Sequence, residues 1–274
     1  MQNVRITILI ENTAYQASLK TEHGLSLWIE YGNKKILFDT GQSDSILYNA
    51  RTLGIDLARI NAIVLSHGHY DHTGGLHSVI NVPSEVKVYL HPAATEPKYS
   101  RKASEARYIG MSDTAKIAIQ NCLPTWTARP VQIFPGISVS GQAPRINDYE
   151  DVGGAFFNDV IFQKPDQLLD DQSLFIESSK GLIVVFGCAH AGVVNTLDYI
   201  SKLTGEKNIY AAIGGMHLIN ASQIRIEHTI EVFKKYQIQK VIPLHCTGRK
   251  AIDDMKSAFN EKCLLLGSGG QISF

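Results

Sequence analysis

The chain has 274 residues, with 26 Lys+Arg against 26 Asp+Glu and a formal charge of zero. Its 44% hydrophobic and 19% charged residues give ample core material, which excludes a disordered, collagen-like or coiled-coil protein. Neutrality also argues against a broad electrostatic face for nucleic acid or an anionic membrane.

Residues 4–10 read as a strand, too short and too quickly followed by Glu11 and Asn12 to be a signal-peptide core. No stretch reaches the ~18 uninterrupted apolar residues of a membrane span. Residues 25–31 and 35–38 read as a hairpin across Gly32-Asn33. Ser43 is placed to cap a helix carrying Ile46, Leu47, Ala50 and Leu53 on one face, and Gly54 to end it. A strand at 62–65, a short helix at 76–80 and a strand at 86–90 follow. The last third repeats one rhythm: strands at 182–186, 208–213 and 240–244, each followed by a helical pattern. Strand–helix alternation predicts an α/β fold in a single domain over 1–274. Cys122, Cys188, Cys246 and Cys263 form no C-x-x-C pair, which suits reduced cysteines in a cytoplasmic protein.

Residues 93–149 break the rhythm and carry seven basic against four acidic side chains, a net of +3. They read as a partly helical insertion, either a solvated surface element or a cap with anion-binding arginines. Arg145, after Gly141-Gln142-Ala143-Pro144, is the candidate phosphate contact.

The hexapeptide His67-Gly68-His69-Tyr70-Asp71-His72 carries the chemistry. A pattern H-x-H-x-D-H arises by chance in roughly one chain of this composition in a thousand. On extended backbone, residues two apart project to one side, so His67 and His69 can grip one ion while Asp71 and His72 turn towards another. Imidazole and carboxylate are ligands of zinc and related divalent metals in hydrolytic sites. Further polar residues fall at strand ends: Asp39 after 36–38, His190 after 182–186, His217 after 208–213 and His245 after 240–244. In open α/β sheets the crevice beyond the carboxyl ends of strands is where ligands bind. His23, in the loop before residues 25–31, can reach the same rim. Cys246 beside His245 reads as a core cysteine or a reactive thiol.

On these residues the chain resembles the metallo-β-lactamase fold superfamily. Ser66 to His72 matches its Thr/Ser-His-x-His-x-Asp-His signature, and Leu37 to Gly41 and the single histidines 190 and 245 match as well. The resemblance implies a four-layer αββα sandwich with two divalent metal ions at its edge, zinc in the first instance and manganese or iron as alternatives. It implies His67, His69 and His190 on one metal, Asp71, His72 and His245 on the other, and Asp39 orienting a ligand histidine or its loop. The segments Glu22 to Ser26, Gly187 to Gly192, Gly214 to Leu218 and His245 to Gly248 resemble a narrower branch. That branch is named after the methanopterin-pathway enzyme 7,8-dihydropterin-6-methyl-4-(β-D-ribofuranosyl)aminobenzene-5′-phosphate synthase. One departure stands out: where most dinuclear relatives have a bridging aspartate, this chain has Gly214-Gly215-Met216-His217. His217 is therefore expected to face the site, as a ligand, a substrate contact or a proton donor.

These residues predict a dinuclear metal-dependent hydrolase, with Asp71 orienting an activated water and a small anionic or phosphorylated molecule as substrate. The alternative is a transferase that joins a pterin diphosphate to an arylamine ribose phosphate and releases pyrophosphate. Oxygen chemistry is not expected, because diiron relatives carry a glutamate where His69 stands and a bridging acid.

Overall fold

The computed structural model describes residues 2–81, 86–122 and 124–274, so Leu123 of the expected insertion lies outside it. The N-terminal half runs β1 (Val4–Ile10), β2 (Ser26–Tyr31), β3 (Lys34–Phe38), α1 (Ser45–Thr52), β4 (Ala62–Val64), α2 (Tyr70–Thr73), α3 (Leu76–Ile80) and β5 (Lys87–Leu90). The middle holds β6 (Tyr99–Lys102), β7 (Glu105–Tyr108), α4 (Asp113–Asn121), β8 (Thr125–Trp126), β9 (Val131–Phe134), β10 (Ile137–Val139) and β11 (Phe156–Phe157). Then come β12 (Leu174–Ser178), β13 (Gly181–Phe186), α5 (Val193–Thr204), β14 (Ile209–Gly215), α6 (Gln223–Lys235), β15 (Lys240–Leu244), α7 (Arg249–Phe259) and β16 (Gln271–Ser273).

Two sheets result, ordered β16-β1-β2-β3-β4-β5-β8 and β15-β14-β13-β12-β10-β9. In the first, β3, β4, β5 and β8 run parallel; in the second, β13, β14 and β15 do. The strands' long apolar runs follow from burial on both faces. Because side chains alternate, Phe38, Val64, Val185 and Ile213 fill the space between the sheets, whereas Leu37 and Ile63 face outward to α1 and α3, where Ile46 and Leu76 receive them. On the other side Val184, Phe186 and Ala212 pack beneath Val193, Val194 and Leu197 of α5, Phe233 of α6 and Met255 of α7. The layers are helix, sheet, sheet, helix.

Residues 93–149 are not one insertion. Strand β8 extends the first sheet and β9–β10 extends the second, while α4 packs on the outer helical layer. Among the strands of the described residues, only the β6–β7 hairpin, joined by β11 into a third, three-stranded sheet, stands outside the sandwich. Ser43 does not cap α1 as expected: Asp44 occupies the cap position, and Ser43 Oγ accepts from Ser45 N at 3.1 Å while donating to Glu22. Gly54 ends that region in left-handed backbone, φ +69°. Among the described residues no helix is long and apolar enough to cross a membrane.

Candidate metal centre

The turns after β3, β4, β13, β14 and β15 converge on one edge of the sandwich. Asp39, Ala189, His217 and His245 adopt left-handed φ of +58°, +53°, +43° and +52°, four of the nine non-glycine residues that do so among those described. Such backbone persists only where its surroundings over-determine it, and it clusters at functional sites.

Asp39 organises the signature loop. Its Oδ1 accepts from Ser66 N at 2.7 Å, and its Oδ2 accepts from Ser66 Oγ at 2.7 Å and His72 Nδ1 at 2.7 Å. With its proton given to Asp39, the Ser66 hydroxyl accepts from His67 Nδ1 at 2.9 Å. That leaves the lone pair of His67 on Nε2. His190 donates Nδ1–H to the Val152 carbonyl at 2.8 Å, which leaves its Nε2 buried and without a partner. His67 Nε2 and His69 Nδ1 lie 3.0 Å apart, and one ligand atom each of His67, His69 and His190 falls within 4.8 Å of the others. Burial holds His67 and His190 well below the usual histidine pKa and pushes His69 down to about 3. These are neutral imidazoles with converging lone pairs.

A second set adjoins the first. Asp71 Oδ2 lies 3.2 Å from His245 Nε2 and 3.7 Å from His72 Nε2, and the two imidazole nitrogens are 3.3 Å apart. Ligands on tetrahedral arms of ~2.0–2.1 Å are about 3.3 Å from one another, so the second set and the His67–His69 pair have the span that one ion needs. His245 is clamped from the end of β1: Glu11 Oε1 accepts its backbone N–H at 2.8 Å, and Asn12 Oδ1 accepts Nδ1–H at 3.0 Å. His72, despite the opposing effect of burial, is raised to about 9 by Asp39 and Asp71. Asp71, also against burial, is held well below the carboxylate range by His72, His23 and His245. Half-exposed His23 reaches Asp71 Oδ2 at 3.2 Å.

The loop's position depends on a contact from far along the chain. Gly68 N donates to Asp170 Oδ2 at 2.7 Å, and buried Lys98 donates to Asp170 and Asp166 at 2.9 Å each. A Cβ on Gly68 would sit 2.0 Å from the Ala94 carbonyl, so only glycine permits this approach.

The donor sets open into a cavity of about 290 Å³ lined by side chains of both sets together with Tyr70, Arg107 and Phe156. The Phe156 ring lies 5.4 Å from that of His69 and 5.6 Å from that of His190, a roof delivered by β11. Arg107, on β7, stands 5.6 Å over the Tyr70 ring and donates to its hydroxyl at 3.3 Å.

Of the residues singled out from sequence, His23, Asp39, His67, His69, Asp71, His72, His190 and His245 come together here. His217 joins them at the rim, its ring 4.2 Å from that of His190 and its Nε2 donating to Gly153 O at 3.2 Å. Arg145 does not reach the cavity; its guanidinium donates to the Gln167 carbonyl at 3.1 Å, because the 143–147 segment lies against the start of α5. Glu11, Asn12, Lys98, Arg107, Phe156 and Asp170 were not legible as site residues, since no local motif surrounds them. Cys188 carried one signal, its place two residues before His190.

A profile of the Metallo-beta-lactamase superfamily matches residues 20–199. The chain belongs to the metallo-beta-lactamase superfamily. It is 33% identical to the 7,8-dihydropterin-6-methyl-4-(beta-D-ribofuranosyl)-aminobenzene-5′-phosphate synthase of Methanocaldococcus jannaschii, covering 100% of this chain and 98% of that protein. An uncharacterized protein of the same organism is 35% identical over 93% of this chain and 95% of its own. A crystal structure described as a metal-dependent hydrolase of the beta-lactamase superfamily is 32% identical, with a TM-score of 0.84 and 98% of each chain covered. For a metallo-beta-lactamase chain the donor chemistry fits divalent metal: ligand atoms of His67, His69 and His190 gather within 4.8 Å of one another, and the buried His190 Nε2 lacks a partner, which a cation would supply.

Proposed function

We propose that the protein is a metal-dependent hydrolase acting on a small anionic or phosphorylated molecule. The observation that carries this reading is the pair of adjoining donor sets, His67, His69 and His190 beside Asp71, His72 and His245, which one cavity reaches through His69, His190, Asp71 and His245. When bound there, two divalent ions, zinc in the first instance, would acidify a water towards pH ~7 and polarise the scissile oxygen. The chain's own residues supply the rest. Asp71, its carboxyl held well below the usual range, lines the cavity, where it would orient the attacking water. His217 keeps Nδ1 without a partner at the rim, from which it can pass a proton to the leaving group; burial opposes its charge, while Cys246 and the Gly153 carbonyl raise its pKa. Phe156 excludes water above His69 and His190, and Arg107 offers a cation at the mouth. The four free cysteines suit a cytoplasmic enzyme.

The full-length likeness to a synthase supports a second reading, in which the same centre stabilises a departing pyrophosphate while an arylamine phosphate attacks a pterin carbon. One experiment separates them. Chelator-treated protein is reconstituted with metal and offered simple phosphodiesters and esters, and separately a pterin diphosphate with and without the arylamine ribose phosphate. Metal-dependent cleavage of the first group supports hydrolysis. Pyrophosphate release only when both partners are present, with a joined product, replaces it by transfer. Activity indifferent to chelator and metal removes both.

A further inference from the structure

The turn after β13 brings a second ligand-type atom besides His190. Cys188 is 3% exposed, and Ala189, in left-handed backbone at φ +53°, turns the chain so that residues 188 and 190 enter the same cavity. Cys188 Sγ lies 3.2 Å from His72 Nε2. It also falls within 4.8 Å of ligand atoms of His67 and His72 in one group, and of His190 and His217 in another. The sulfur therefore neighbours both donor sets at once, and beside it the buried His190 Nε2 and His217 Nδ1 have no partner.

The turn after β14, where dinuclear relatives carry a bridging acid, has no room for one at Gly215. A Cβ there would meet the Gly187 carbonyl at 2.3 Å and Cys246 Sγ at 2.8 Å, so no side chain leaves the backbone. Cys246 lines the same cavity and gathers with Cys188 and His245, but its sulfur accepts from His217 N at 3.2 Å and gathers with no histidine of the first set. We propose that Cys188 is a ligand shared by both metal ions, its sulfur standing in for the missing bridging carboxylate. On metal binding the thiol proton leaves to solvent and the sulfur's lone pairs bind the two cations, with no change of oxidation state. A soft donor between imidazoles also biases the centre towards zinc, cobalt or iron(II) and away from magnesium and calcium.

This inference rests on the metal-pair reading above, and its test distinguishes the two. The intact protein, Cys188→Ser and Cys246→Ser are each loaded with cobalt(II); cobalt content, near-ultraviolet thiolate-to-cobalt absorption and X-ray absorption at the cobalt edge are recorded. Two cobalt ions are expected in the intact protein, with one sulfur at each at about 2.3 Å, the usual metal–thiolate distance. The absorption should vanish in Cys188→Ser and persist in Cys246→Ser, and Cys188→Ser should release its second cobalt at least tenfold more readily to chelator. Absorption that survives Cys188→Ser, or is lost only in Cys246→Ser, overturns the proposal. So do two bound ions with sulfur at half of them or none, a reading of the intact protein that stands even should a variant not fold. Fewer than two ions bound removes the metal-pair reading as well.

Discussion

The set of His67, His69 and His190 and the set of Asp71, His72 and His245 share a cleft and differ in charge. The first is three neutral imidazoles whose pKa values burial depresses, with two ring nitrogens, His69 Nε2 and His190 Nε2, left without partners. The second closes on itself: Asp71 meets His23, His72 and His245, and His72 meets Asp39. A buried polar atom without a partner costs about 1–3 kcal/mol. In the first set the His190 Nε2 lone pair is therefore a deficit that a cation relieves, whereas the second already satisfies its charges with its own protons. A centre can thus be prepared for metal in two ways, by withholding partners or by preassembling charge.

The largest expected effect breaks the first set. His69→Ala should lose one equivalent of metal and at least ~10³-fold in activity, since a Lewis acid contributes several kcal/mol at ~1.4 kcal/mol per tenfold. His245→Ala should lose less of both; equal losses, measured by elemental analysis and initial rates, would erase the contrast.

Next comes the support behind the first set. Lys98→Met leaves Asp166 and Asp170 buried without their cation and should cost about 3–5 kcal/mol in denaturant unfolding. Burial opposes ionisation of Asp170, but Lys98 prevails and holds its carboxyl below the usual range; burial likewise opposes charge on Lys98, and the two carboxylates raise it. The depressed acid contributes stability above its unfolded pKa of ~3.9 and loses it as pH falls; the raised amine contributes below ~10.4 and loses it as pH rises. The wild-type advantage over Lys98→Met should accordingly be flat between about pH 4 and 10 and shrink on either side.

A smaller effect sharpens the second set. Asp39→Asn keeps the shape but removes the carboxylate from His72, and should weaken binding of the second metal by ~10–100-fold, with a smaller loss at the first, which Asp39 reaches only through Ser66. Competition with a chromogenic chelator would resolve the two steps. Smallest is Arg107→Ala: an exposed cation at the mouth should raise KM for an anionic substrate a few-fold with kcat unchanged, an effect that fades with added salt.

Much of this architecture is written locally. The strands β1 to β5 and β13 to β15 are continuous apolar runs because both faces are covered, and the six ligand-type residues stand at their ends. The segment 93–149 misled because its charges and irregular pattern mask short strands that complete both sheets. The Pro135-Gly136 pair between Ile133 and Ile137, with Gly136 at φ +83°, is a hairpin signal outweighed by the surroundings. Strands β11 and β16 have too few residues to show a period at all.

The sequence by itself determined the histidine-rich loop, the alternating elements and the family, because side-chain spacing and apolar periodicity are properties of neighbouring residues. Only the tertiary structure decided which atoms complete the centre. Asp170 reaches Gly68 across 102 positions and Glu11 reaches His245 across 234, and no local pattern can encode a pairing that exists only once two sheets have packed face to face. Cys188 belongs to the same class: in the chain only its place two residues before His190 marks it, and it comes near His67 and His72 only when the ends of β4 and β13 meet.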